Sequence, residues 1–302
     1  VDSRPWVAVS SGHCHLADHP VRRDDGSVWV IRQAKPPRMD IMRSMCVVLL
    51  CGWGCLASQI STDVSAEEFR IETEIFVDDA KEASGETLTI FSEGIVYDFV
   101  RKGNEEITVF DQARDRFVML DTKRRVKTVL TLDDLLNYVA QLRASLNDED
   151  RSFLLGDEMK VEVGEDGWLT LSNGSVTYRV EGEEPKAKEA VANFRQFADW
   201  YARLNSLRPG NSPPFARMQV NSELAARGLI PKTIERTITQ RRGLQEKKQV
   251  IRSQHIPNWR LSQTDRSHID RAGRCLADYT DVSLREYLQL PEEPSDEQVT
   301  RR

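Results

Sequence analysis

His255 and His268 are separated by thirteen positions, with Asp265 and Asp270 close by in sequence. An imidazole oriented by a carboxylate is the usual arrangement of a general base, so these four side chains are the first place to look for catalysis. His255 ends an expected strand and His268 sits on the following expected helix, and a turn between them could bring the rings together. The plainer reading is preferred: one histidine exposed at a strand end and the other on a helix surface. Beyond residue 66 there is neither HExxH nor CxxC, so a zinc site would need carboxylates or Cys275 to complete it. No GxSxG elbow and no phosphate-binding glycine loop supplies the rest of an active site. No catalytic residue, metal site or cofactor is therefore assigned. The soft-ligand run His13-Cys14-His15 with His19 is read as accidental, because it falls in a leading segment outside the expected mature protein. Cys275, beside Leu276 and in helical spacing with Ile269 and Ala272, reads as a small buried hydrophobe and not as a nucleophile.

Phe194, Phe197, Trp200 and Tyr201 form the aromatic surface best suited to binding a ligand, as one wall of an apolar cavity. Phe194, Phe197 and Tyr201 share the apolar stripe of their helix, and packing against a sheet accounts for them. Trp200 lies off the stripe and suits a rim or a partner contact. The basic runs Lys123-Arg124-Arg125 and Arg241-Arg242 with Lys247-Lys248 fall in expected hairpin turns, where solvated tips diluted by Asp121 and Glu246 are the preferred reading. Asp199 and Arg203, four apart, should form an exposed helical pair.

These residues are carried on a chain that opens with strands. Phe69, Ile71, Thr73, Ile75 and Val77 alternate with Arg70, Glu72 and Glu74, a period of two. Short β-favouring runs follow at 87–91, 95–100, 107–110, 117–120 and 126–130, with links too short for helical crossovers, so the strands must meander antiparallel. Thr131, three residues before Asp134, caps a helix that carries Leu132, Leu135, Leu136, Val139 and Leu142 on one face. After an acidic link at 147–150, strands resume at 159–163, 168–171 and 176–180, the last two joined by Asn173-Gly174. The longest helix spans 186–204, Pro209-Gly210 and Pro213-Pro214 break the chain, and Asn221 caps a short helix through Ala226. Two long strands, 230–239 and 248–256, turn at Gly243, and Ser262 with Asp265 caps a final helix reaching Tyr279. The expected fold is α+β: a long curved antiparallel sheet, half-barrel-like, covered by several helices in a single domain over 67–290. The charged tail 291–302 is expected to be disordered.

The leading residues read differently. Met42 and Arg43 precede an apolar run from Cys46 to Ala57, then a polar stretch ending in Val64-Ser65-Ala66, the layout of a secretory signal over 42–66. The run is too short for a membrane span, which needs roughly 20 residues. Gly54-Cys55 lacks the Leu expected three places before a lipidated Cys, since Gly52 stands there. Residues 1–41 are expected to be an upstream extension outside the native protein. Acidic residues outnumber basic ones 48 to 42, which argues against a nucleic-acid partner.

The runs FRIETEIF (69–76), FSEGIVYDF (91–99), NFRQFADWYARLN (193–205), PPFARMQVN (213–221), IPKTIERTI (230–238), RSQH from 252 and WRLSQTD up to 265 resemble a family of uncharacterised exported proteins of planctomycete-type bacteria. That family brings no established activity. The order of elements around FDQARDRFVMLDTKRRVKT (110–128) is similar to the half-open β-barrels of periplasmic lipoprotein carriers of the LolA and LppX type. The likeness implies a sheet that holds acyl chains against helices, and fold likeness alone assigns no function. The resulting expectation is a non-enzymatic periplasmic or envelope protein that binds an apolar or amphipathic ligand, with a lipid or another envelope protein as partner. The alternatives are an assembly protein acting through surface contacts and, behind both, a hydrolase using His255 and His268.

Overall fold

Alternation of apolar and polar residues has its expected result: twelve strands hydrogen-bond into one open, curved sheet. The computed structural model describes residues 68–146, 159–242 and 245–290, without the side chains of 240–246. The leading 67 residues, the acidic link with the residues up to 158, Gly243, Leu244 and the charged tail lie outside the described residues. Strands β1 (Phe69–Val77), β2 (Gly85–Ser92), β3 (Ile95–Lys102), β4 (Glu106–Asp111), β5 (Arg116–Asp121) and β6 (Val126–Thr131) form one meander. A second meander comprises β7 (Lys160–Val163), β8 (Leu169–Ser172), β9 (Val176–Glu183), β10 (Ile230–Arg242) and β11 (Gln245–Asn258). Antiparallel pairing of β1 with β11, from Arg70 opposite Asn258 to Val77 opposite Ile251, joins the two.

The expected antiparallel pairing holds for every neighbouring pair of strands but one. β12 (Thr280–Asp281) pairs parallel with β6, Thr280 lying opposite Val126, so the sheet is mixed. Five helices accompany the sheet among the described residues: α1 (Leu132–Ser145), α2 (Glu189–Ser206), α3 (Phe215–Ala226), α4 (Gln263–Asp278) and α5 (Leu284–Tyr287). None is long and apolar enough to cross a membrane.

One cross-strand row runs Phe69, Phe91, Val96, Phe110, Phe117, Leu130, each opposite the next in register. All six are buried, with Phe69 stacked on Phe91 at 4.1 Å and Phe110 on Phe117 at 4.6 Å. Leu132 and Leu135 of α1, Ala190, Phe197 and Leu204 of α2 and Tyr287 of α5 complete this core. The residues of opposite parity, among them Leu88, Ile90, Phe99, Ile107, Val118 and Leu120, pack on the other face against Ala272 and Cys275 of α4. A third core joins Leu169, Leu171, Tyr178, Val180 and Ile234 to Ala216, Val220 and Leu224 of α3. The registers through Ile75, Ser253 and Ile234 put this third core on the same sheet face as the first.

Both expected capping boxes are present, Thr131 with Asp134 and Ser262 with Asp265. Asn221 is not a cap. α3 begins at Phe215, and Asn221 lies inside it at 2% exposure. The pyrrolidine of Pro214 already holds helical dihedrals (φ −76°, ψ −17°), so a proline pair read as a break is a helix start.

Candidate functional site

The four aromatics proposed as a ligand wall have separate roles. Phe197 meets Phe91 edge-on at 5.8 Å and lies 6.3 Å from Phe110, and Phe194 packs against the same core. Side chains occupy this part of the space beneath α2. Tyr201, 5.1 Å from Phe197, reaches past the aromatics to a polar row of the sheet, where its hydroxyl donates to Asp98 Oδ2 at 2.8 Å. Thr89 Oγ1 donates to the other carboxylate oxygen at 2.6 Å. Burial pushes the Asp98 carboxyl up to about 6, against the two hydrogen bonds, and the nearby charge of Glu106 adds to the rise. Burial also pushes the Tyr201 phenol well above its usual value, with the Asp98 and Glu106 charges assisting. Beside this pair, Glu106 accepts from Tyr287 Oη at 3.0 Å and from the Arg208 guanidinium. The seam clamps α2, α5 and the α2–α3 connection to β2, β3 and β4.

The two histidines are not brought together. His255 shares the parity of Thr73 and faces the side of the sheet that carries α2 and α3, whereas His268 of α4 packs 5.2 Å from Phe99 on the other side. His255 is also not an exposed strand-end residue. It lies within β11, only partly exposed, with Nδ1 at 3.2 Å from Thr73 Oγ1 and Nε2 at 3.0 Å from Ser253 Oγ. Burial pushes its pKa down to about 3, helped by the charge of Arg217. Asp265 is occupied as a helix cap, accepting from Ser262, and Asp270 is exposed. Cys275 is buried on the sheet-facing side of α4, and no cluster of three metal-ligating side chains occurs among the described residues.

The basic turn 123–125 is an exposed hairpin tip, as expected, and two of its arginines also make structural contacts. Arg124 pairs with Asp121 at 2.7 Å and donates to the carbonyls of Glu286 (3.2 Å) and Tyr287 (2.5 Å), while Arg125 lies over the Tyr279 ring. Lys247 and Lys248 are exposed, and the side chains of Arg241 and Arg242 lie outside the description. Asp199 and Arg203 do not pair as carboxylate and guanidinium. Arg203 donates to the Asp199 carbonyl at 2.9 Å and stacks on Trp200 at 4.7 Å.

Open space lies on the outer flank of α2. A solvent-open groove of about 990 Å³ runs between that flank and the C-terminal end of α3. Val191, Ala192, Trp200 and Ala225 supply apolar lining, and Lys188, Arg195, Arg203 and Arg227 outnumber Glu184 and Asp199 along it. Of the four aromatics, Trp200 lines this groove, and its off-stripe position in the sequence was the signal. Lys188, Arg195 and Arg203 all come from α2 and its N-cap, whereas Arg227 joins them because α2 and α3 lie side by side, tied by Asn221 Nδ2 donating to Asp199 Oδ1 at 2.8 Å. No protein-family model matches this chain, and comparison with curated proteins finds no match, so function must be argued from geometry.

Proposed function

We propose that the protein is a non-enzymatic binder of an amphipathic, anionic ligand, and that the groove between α2 and α3 receives it. The supporting observation is the combination, in one open groove, of Trp200 with the Arg203 guanidinium over its ring, small apolar side chains and four cations on a chain of net charge −6. An acyl chain or apolar segment would lie on Trp200 and Val191, and its acidic head would meet Arg195, Arg203 or Lys188. The signal-like layout of residues 42–66 supports placing this activity in the periplasm or envelope. The open curved sheet with helices on it fits a half-barrel carrier architecture, although the filled core beneath α2 moves the ligand from inside the sheet to the helix flank.

Calorimetric titration of the full chain with palmitate and with uncharged monopalmitoyl glycerol tests the reading. Palmitate should bind more tightly, and Trp200→Ala and Arg203→Met should each weaken it by about tenfold. Absence of saturable binding by both probes sinks the proposal. A second reading, assembly through an exposed edge, is favoured by β7: its four residues are exposed, Val163 at 63%, and it stands at the end of the strand order. Native mass spectrometry separates the two, a retained lipid mass supporting the binder and a clean oligomer the assembly protein.

A further inference from the structure

Two guanidiniums carried on elements of the third core have no carboxylate in direct contact among the described residues. Arg217 leaves α3 next to Ala216, which packs with Tyr178, and Arg236 of β10 lies directly opposite Tyr178 of β9 in register. Cross-strand neighbours of this kind have Cβ atoms about 5 Å apart. Among the described residues Arg236 makes one hydrogen bond, from Nη1 to Ser212 Oγ at 3.3 Å. Arg217 makes one as well, from Nε to Asn221 Oδ1 at 3.0 Å. Neither has an ion-pair partner within 4.0 Å among the described residues.

The single bond at Arg217 belongs to a relay. Asp199 Oδ1 accepts from Asn221 Nδ2 at 2.8 Å, and Asn221 in turn accepts from Arg217 Nε. This fixes the guanidinium plane while leaving both terminal NH2 groups undirected. Asp199 makes no direct ion pair with Arg217 within 4.0 Å: its Oδ1 accepts from Asn221 and its Oδ2 lies 3.6 Å from Arg195 Nε, so its charge reaches Arg217 only at a distance. The Tyr178 hydroxyl also has no hydrogen-bond partner among the described residues; the residue is 5% exposed, and its oxygen still reaches solvent.

We infer that Arg217, Arg236 and Tyr178 form a binding site for a small oxyanion, the chemistry shared by carboxylates and phosphates. Arg217 loses hydration that no carboxylate in direct contact replaces, and the like charge of Arg236 repels it. An oxyanion seated between them would accept charge-assisted hydrogen bonds from both forks and one from the phenol, satisfying all three groups at once. Burial already holds Arg217 below its ordinary pKa, with Arg236 adding to the fall and Tyr178 and Asp199 opposing it, which agrees with a cationic crevice lacking its counter-charge. The site is distinct from the α2–α3 groove: neither arginine nor Tyr178 lines that groove.

The test is isothermal titration of the full chain with inorganic phosphate and, separately, with acetate, at constant ionic strength in chloride buffer. At least one anion should bind saturably, and the tighter of the two assigns the ligand class. Arg217→Met and Arg236→Met should each weaken binding by about tenfold, and Tyr178→Phe by about threefold. Circular dichroism reports whether each variant is folded. Should Arg217→Met fail to fold, Arg236→Met and the conservative Tyr178→Phe still decide, since Arg236 is partly exposed. No saturable uptake of either anion by the wild type, or undiminished uptake in the folded variants, overturns the assignment.

Discussion

Asp98 and His255 are ionisable groups held inside the protein, and their protons push stability in opposite directions. Asp98 titrates at about 6 in the fold against an ordinary value of 3.8, so the folded state binds its proton more tightly. Its contribution is greatest below pH 4 and is lost as pH rises to about 6, a span worth about 3 kcal/mol. Asp98→Asn should therefore stabilise the protein at pH 7.5 and have little effect at pH 4, read from urea midpoints at the two values. His255, at about 3 against 6.5, is the reverse: stability is lost as pH falls from about 6.5, because the unfolded chain takes up the proton first. His255→Gln should leave stability rising on acidification from pH 6 to pH 4, the Asp98 slope unmasked. A further fall in that variant would contradict the burial assigned to His255. Asp98 had a sequence signal, an acid at the inward parity of Val96 and Val100 in an otherwise apolar strand. His255 had none, since its neighbours Thr73 and Ser253 are set by the pairing of β1 with β11 and by the pleat.

Elements made from local chemistry were legible. The β2–β3 hairpin turns through Glu93 (φ 52°) and Gly94 (φ 75°), two left-handed residues of the kind that match strand twist. A glutamate bears a strain there that asparagine tolerates, and Glu93 makes no hydrogen bond that the exchange would remove. Glu93→Asn should raise stability by about 0.5–1 kcal/mol, measured as a denaturant midpoint shift without change of slope. At Gly182 of β9 the constraint is packing. A methyl group there would lie 2.9 Å from both Leu224 Cδ2 and Leu229 Cδ1, so Gly182→Ala should cost about 1–3 kcal/mol. A neutral result would mean that the α3–β9 contact is looser than described. β12 and α5 left no usable pattern in the sequence. Two strand residues and one helical turn have too little periodicity to read, and they are held by remote partners: Arg124 on the Glu286 and Tyr287 carbonyls, and Glu106 on the Tyr287 hydroxyl. The start of α3 was misread for a different reason, because a proline pair can either end a segment or begin one.

At the scale of the molecule, the two meanders are each sequence-local, while the seam between them is not. Thr73 and His255 touch across it although 182 positions separate them. Contacts of such separation carry the largest loop-closure cost and form late, so β1–β11 protection should appear after protection within β2–β6 in pulsed hydrogen exchange during refolding. Simultaneous protection of both would refute that order. Strand pairing was readable from the sequence within each meander, where short turns dictate neighbours, and unreadable at the seam, where no turn does. A chain made or threaded from its N-terminus presents β1 as soon as it emerges, yet the strand that covers its outer edge arrives almost two hundred residues later. During that interval FRIETEIF offers a bare, alternating edge to any extended peptide nearby. The protein's most vulnerable moment is therefore its own synthesis, and a holding chaperone that shields this one edge would protect it more than any stabilisation of the finished fold.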